Sequence, residues 1–151
     1  MNLSENKLAE LSLLSTLHDI GKVAISEGIL LKQGKLLKSE WRLIKKHPEI
    51  GYNIARSSPH LAHVADTILT HHEWWDGSGY PQGLKGDEIP IISRILAIVD
   101  AYDAMISGRP YRKTMPKEAA LAEIKKNAGT QFDPNIARIF AEALLEKPWE
   151  E

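Results

Sequence analysis

The sequence contains no cysteine, which excludes disulfide bonds, thiolate metal ligands and a cysteine nucleophile. It also lacks an apolar run long enough to cross a bilayer, because the longest, from Ile89 to Val99, is interrupted by Pro90, Ser93 and Arg94. The formal net charge is only -1, so the chain offers no general attraction for nucleic acid or for an anionic membrane. We therefore expect local phosphate binding, no DNA or RNA polymer as partner and no membrane insertion.

The remaining composition is that of an ordinary globular protein, with 43% hydrophobic and 26% charged residues. A length of 151 residues is enough for one domain with a core and short for two. The first ten residues, MNLSENKLAE, lack the basic and apolar segments of a secretory signal. We therefore expect a single domain over residues 1–151, located in the cytoplasm.

Apolar residues recur at helical spacing along most of the chain, and no segment alternates as a strand would. This pattern predicts an all-α fold, a compact bundle of about six to seven helices. The predicted helices cover about 6–17, a short segment capped by Ser39, a segment starting at His47, and 59–72, 92–106, 116–127 and 134–145. Residues 23–38 are predicted to form a loop, and Trp41, Leu43 and Ile44 to point into the core. Residues 73–91 are rich in glycine and proline, which indicates a long structured loop, and loops of this length are usually functional.

Residues that bind divalent metals stand in four short clusters. A carboxylate can bridge two cations, whereas an imidazole offers one lone pair, so we predict Asp19 as a bridge and His18 as a terminal ligand. The mixture of nitrogen and oxygen favours iron, manganese, zinc, nickel or cobalt over calcium, and the absence of sulfur disfavours a structural zinc site. A single histidine is more often a hydrogen-bonded core or surface group, and we apply that interpretation to His60 and His63. The candidate metal ligands are His18, Asp19, His47, His71, His72 and Asp100.

Six motifs follow one another along nearly the whole chain. They are LHDIGK (17–22), KHPEIG (46–51), HHEWWDGSGYPQGLKGDEIP (71–90), RILAIVDAYDAM (94–105), RPYR (109–112) and GTQFDP (129–134). With these motifs the chain resembles the HD-GYP family, a branch of the HD-domain metal-dependent phosphohydrolases whose members hydrolyse cyclic di-GMP. The loop that contains Gly79, Tyr80 and Pro81 separates this branch from other HD proteins.

The resemblance implies roles for particular residues. It implies two or three divalent ions, with iron or manganese first, held by the six candidate ligands. It implies that Asp19 and Lys22 are catalytic, with Lys22 facing the bound phosphate, and that Tyr80, Arg109 and Arg112 line the substrate groove. We interpret Asp103 as a partner that orients a ligand. Glu73 and Asp76 are interpreted as ties that hold the loop together by capping backbone amides.

The expected function is metal-dependent hydrolysis of cyclic di-GMP to pGpG, with further cutting to GMP, in bacterial second-messenger signalling. The family has a further histidine on a preceding helix, and only 17 residues precede His18 here, so one ion is expected to lose a ligand. A truncated natural form, a fragment, or a dimer whose neighbour fills the gap would each explain this. The alternative function is a catalytically weak or inactive module that binds cyclic di-GMP or a partner. A homodimer and a fused or partner sensor or GGDEF domain are the expected assemblies, and a mononucleotidase is a third, less favoured reading.

Overall fold

The computed structural model describes residues 3–107, 114–145 and 148. Within these residues there are seven α-helices of six residues or more and one four-residue helix, with no β-strand, which confirms the all-α prediction. The helices are α1 (Glu5–Leu17), α2 (Glu27–Leu30), α3 (Lys38–Ile44), α4 (His47–Arg56), α5 (Ala65–Thr70), α6 (Ile91–Ile106), α7 (Lys117–Lys126) and α8 (Pro134–Leu145). Short 3-10 turns cover Ile20–Ala24, Ala62–Val64 and Gly86–Glu88. None of the described helices has the length and apolar character that crossing a bilayer requires.

Helix α6 is the central element, because it contributes to both hydrophobic clusters. The first cluster joins α6 to α7 and α8, and the second joins it to α1, α4 and α5. Burying apolar side chains on two sides fixes the position of α6, and with it the position of Asp100. The first cluster contains Ile95, Ile98, Met105, Ala120, Ile124, Phe132, Ile136 and Ala137. The second contains Leu14, Ala55, Val64, Ala65, Ile68, Ile92 and Leu96.

Side chains cap the starts of two helices, whereas the predicted Ser39 cap is wrong. The Ser4 hydroxyl accepts the N–H of Lys7 at 3.4 Å at the start of α1. The Asp133 carboxylate accepts two backbone N–H groups at the start of α8. Ser39 is not a cap, because α3 begins one residue earlier, at Lys38, and the Glu40 carboxylate accepts the N–H of Leu37.

Three other expectations need correction. Residues 23–38 are not entirely loop, since they contain the end of a 3-10 turn and all of α2. The predicted helix over 59–72 is shorter, with only a 3-10 turn and α5 inside that range. Trp41 and Leu43 were expected in the core but are 49% and 46% exposed. Periodicity in a seven-residue helix shows that one face is apolar, but not whether that face packs against the core or borders a pocket.

Candidate metal centre and adjoining pocket

Three of the predicted ligand histidines are held by the same local hydrogen bond. In His18, His47 and His71 the Nδ1 atom contacts the backbone carbonyl oxygen three residues earlier. A carbonyl oxygen can only accept, so Nδ1 carries the proton and Nε2 keeps its lone pair for another partner. Hydrogen bonding of the outer ring nitrogen is the usual way in which proteins orient metal-binding histidines. The acceptors are the carbonyl oxygens of Ser15, Ile44 and Ile68, at 3.0, 2.7 and 2.5 Å.

The Nε2 atoms of His18 and His47 lie close to carboxylates. Oδ1 of Asp19 lies 3.3 Å from Nε2 of His47, and Oδ2 lies 3.6 Å from Nε2 of His18. Nε2 of His18 is also 3.9 Å from Oδ1 of Asp100. Asp19 therefore lies between Nε2 of His18 and Nε2 of His47 and offers a different oxygen to each.

The donor atoms are close enough to share cations. One atom each from Asp19, His47, His71 and His72 lies within 4.8 Å of all the others. Nε2 of His47 and Nε2 of His71 are 3.2 Å apart, and because both carry lone pairs they repel each other unless a cation or a proton lies between them. The residues present therefore fit a divalent metal, with three imidazoles and a carboxylate in one group and His18 and Asp100 beside it.

Burial sets the protonation of the cluster. Burial, followed by the neighbouring imidazole of His72, lowers the pKa of His71 to about 2. Burial and the imidazole of His47 lower the pKa of His72 to about 3. Burial raises the pKa of Asp19, but the neighbouring His47 side chain and the hydrogen bond from Lys22 outweigh it and hold that pKa well below its usual range. At neutral pH these imidazoles are neutral and the carboxylate is ionised, which are the forms that bind metals.

Two glycines allow the motifs that carry these ligands to approach each other. Gly21 packs so closely on the start of α4 that a Cβ atom there would overlap the carbonyl oxygen of His47. A Cβ on Gly51 would lie 2.9 Å from Cγ2 of Ile68, on α5. The turn after Asp19 can therefore pack directly on α4, which brings Asp19 to His47.

The loop after His72 is organised by one buried carboxylate. Glu73 is 3% exposed, and its oxygens accept the backbone N–H groups of Gln82, Gly83 and Leu84 at 2.6, 3.2 and 3.0 Å. Asp76 accepts the N–H of Ser78 at 2.8 Å. The prediction that Glu73 and Asp76 tie the loop together is therefore confirmed.

Replacing Glu73 with glutamine is expected to destabilise the protein by about 2–3 kcal/mol, because a hydrogen bond to a charged group is worth about that much and the new amide group meets N–H donors. For a chain of this size the melting temperature should fall by about 4–12 °C, measurable by circular dichroism. Glu49, exposed on the first turn of α4, is the control, and Glu49→Gln should cost less than about 1 kcal/mol. Equal melting temperatures for the two variants would contradict the role of Glu73.

Tyr80 is held against the metal cluster by its ring. The ring stacks on that of His72, with centroids 4.9 Å apart and planes inclined by 24°. The ammonium of Lys45 lies 4.8 Å from the centroid of the Tyr80 ring. Burial raises the pKa of Tyr80 to about 12, so its hydroxyl is a hydrogen-bond donor at neutral pH.

The remaining predicted residues fall into three groups. Arg109 and Arg112 lie outside the described residues, so their assignment stays a prediction. The interpretation of Asp103 as a partner of a metal ligand is wrong, because its exposed carboxylate accepts the hydroxyl of Ser107 at 2.8 Å. That serine is four residues later on the same side of α6. His60 and His63 are exposed and lie outside the metal-binding group found among the described residues.

A pocket of about 410 Å³ adjoins the cluster. Its lining combines the polar end, with Lys22 and Asp100, and an apolar surface that the sequence interpretation missed. A signal was present, because residues 29–37 contain too many leucines and isoleucines for an ordinary solvated loop. The lining residues from 29–44 are Ile29, Leu30, Lys32, Gly34, Leu36, Trp41 and Ile44.

The comparisons with known proteins agree with this geometry. The family model described as HD domain matches residues 1–136. A cyclic di-GMP phosphodiesterase of Thermotoga maritima is 46% identical over 97% of this chain and 40% of its own length. The 3'3'-cGAMP-specific phosphodiesterase 2 of Vibrio cholerae is 44% identical over 93% of this chain and 27% of its own length.

Solved structures show the same fold. A cyclic GMP-AMP-specific phosphodiesterase of Vibrio cholerae superposes with a TM-score of 0.70 at 24% identity, over 97% of this chain and 40% of that one. An HDG"Y"P protein of Bdellovibrio bacteriovorus gives a TM-score of 0.74 at 21% identity, over 95% and 45%.

Fold and site together define a helical metal-binding domain. The chain belongs to the HD-domain family, as the motifs predicted. It spans about two fifths or less of the length of these curated relatives.

Proposed function

We propose that the chain is the phosphohydrolase domain of a cyclic di-GMP phosphodiesterase, acting in the cytoplasm in bacterial second-messenger signalling. The product would be linear pGpG, with further cutting to GMP. The observation that carries the proposal is the position of Asp19, whose two oxygens face His18 and His47 beside a pocket that Lys22 also lines. The names of the relatives support the substrate class.

The proposed metal ligands are His18, Asp19, His47, His71, His72 and Asp100. They would hold two or three divalent ions, and their nitrogen and oxygen atoms suit iron or manganese first, with zinc, nickel and cobalt as further candidates. When bound, such ions lower the pKa of water and offset the charge of a phosphate group.

The protein's own groups would position the substrate. Lys22 donates to Asp19 at 2.6 Å and borders the pocket, so its ammonium is placed to attract phosphate oxygens next to the ligands. The Tyr80 hydroxyl supplies a donor from the same lining. For Arg109 and Arg112 we retain the proposed contact with the second phosphate or a guanine edge, to which a guanidinium offers paired donors.

The domain organisation remains part of the proposal. We propose one HD-GYP domain over residues 1–151, which works either as a homodimer or next to an attached or partner sensor or GGDEF domain. The match covers 40% of the Thermotoga maritima relative. The rest of that relative's length leaves room for an attached domain of the kind that we propose.

The test is direct. Purified protein loaded with Mn²⁺ or Fe²⁺, with its metal content measured, is incubated with cyclic di-GMP and with 3'3'-cGAMP, and the products are separated by anion-exchange chromatography. We expect linear dinucleotide, and its loss after chelation of the metals with EDTA. Tight binding of the nucleotide without product, with the metals present, would instead support the alternative of a silent binding module.

A further inference from the structure

The apolar part of the pocket lining centres on one tryptophan. Trp41 borders the pocket together with Leu30, Leu36 and Ile44. It is 49% exposed, and Leu30 is 39% exposed. Large apolar side chains that border a pocket and stay this exposed are typical of ligand-binding surfaces.

Trp41 is also the ring in this lining with the most free surface. His47 is 1% exposed and directs its nitrogen to Asp19. The ring of Tyr80 already contacts the ring of His72 and the ammonium of Lys45. A flat ligand group entering the pocket would therefore find its aromatic partner in Trp41 among the described lining residues.

The segment around Trp41 is braced before any ligand binds. The ammonium of Lys32 lies 2.8 and 2.7 Å from the two carboxylate oxygens of Glu40. Glu40 also accepts the N–H of Leu37 at 2.6 Å, and the backbone N–H of Trp41 donates to the carbonyl of Leu37 at 3.0 Å. Both ends of the turn before Trp41 are thereby fixed, which lowers the entropy lost when the tryptophan orders against a ligand.

We propose that Trp41 is the stacking platform for one nucleobase of a cyclic dinucleotide whose phosphate lies at the Asp19 cluster. Such a ligand carries two purines, and the polar residues Asp19, Lys22 and Asp100 occupy the other part of the lining. Stacking uses the face that every base has, so the platform binds guanine and adenine alike. The inference rests on the proposed function and adds the residue that binds the base.

The test is steady-state kinetics of the metal-loaded full chain with cyclic di-GMP and 3'3'-cGAMP. Trp41→Ala is expected to raise KM about 10- to 100-fold for both substrates, the range that loss of one base–aromatic stack gives. The kcat should stay within about threefold, because the reacting phosphate is held elsewhere. Trp41→Phe should recover most of the affinity, whereas Trp41→Leu, which keeps apolar bulk without a ring, should not.

Leu43 provides the matched control, since it is on the same helix, is 46% exposed and is outside the pocket lining. Leu43→Ala should leave KM unchanged. An unchanged KM in Trp41→Ala, or equal recovery by leucine and phenylalanine, would overturn the platform. A wild-type protein that cleaves bis(p-nitrophenyl) phosphate but neither cleaves nor binds a cyclic dinucleotide would instead overturn the proposed function.

Discussion

Replacing Asp19 with asparagine is expected to lower kcat for cyclic di-GMP at least about a thousandfold, equivalent to about 4 kcal/mol of transition-state stabilisation. The reason is geometric, because each oxygen of Asp19 faces a different histidine, at 3.3 and 3.6 Å. Asparagine offers one oxygen without charge and places an amino group where the second oxygen was. Metal content per chain, by elemental analysis, should fall together with the rate.

Asp103 supplies the control for that experiment. It is an aspartate on the helix that carries Asp100, but its carboxylate is exposed and bonded to Ser107. Asp103→Asn should keep metal content and kcat within about twofold, as expected for a surface substitution away from the site. If Asp19→Asn retained full metal content and wild-type kcat, the cluster would not be the reaction centre.

The group of candidate metal ligands was largely predictable, because metal binding restricts the residue types that can form it. In a chain without cysteine the nitrogen and oxygen ligands come from histidine and acidic side chains, and all the candidate ligands except Asp100 lie at or next to the end of a helix. The Glu73 tie was predictable for a similar reason. A carboxylate next to a glycine-rich loop has few partners other than the N–H groups of that loop.

The apolar part of the pocket was not predictable from the same reasoning. Trp41 and Ile44 are three residues apart, the spacing of one helical face, and hydrophobic periodicity does not distinguish a face that packs inside the protein from one that borders a cavity. The interpretation of Asp103 was wrong for a related reason. Asp103 is one helical turn from Asp100 in the sequence, which suggests that it lies near the site. Its carboxylate instead accepts the hydroxyl of Ser107. The partner of a polar side chain depends on contacts that spacing alone does not specify.

Gly21 shows the same limit, because a glycine shortly after a predicted helix is equally consistent with a helix end. Its actual role is close packing, so Gly21→Ala is expected to destabilise the protein by about 3 kcal/mol, the upper part of the usual range for overpacking. The added Cβ would overlap the carbonyl oxygen of His47 and press on the backbone nitrogen of Gly51. Backbone atoms cannot move aside as a flexible side chain would, so the turn must shift away from α4.

That shift should also affect the site, since the turn begins next to Asp19 and α4 begins with His47. We therefore expect the melting temperature of Gly21→Ala to fall by about 6–12 °C and its metal content to decrease with it. Gly28 is the matched control, because it is exposed in α2 and a Cβ there would meet no atom within 4 Å. Gly28→Ala should be neutral or slightly stabilising, since alanine is the better helix former. Identical melting curves for the two variants would show that Gly21 is not required for the approach of Asp19 to His47.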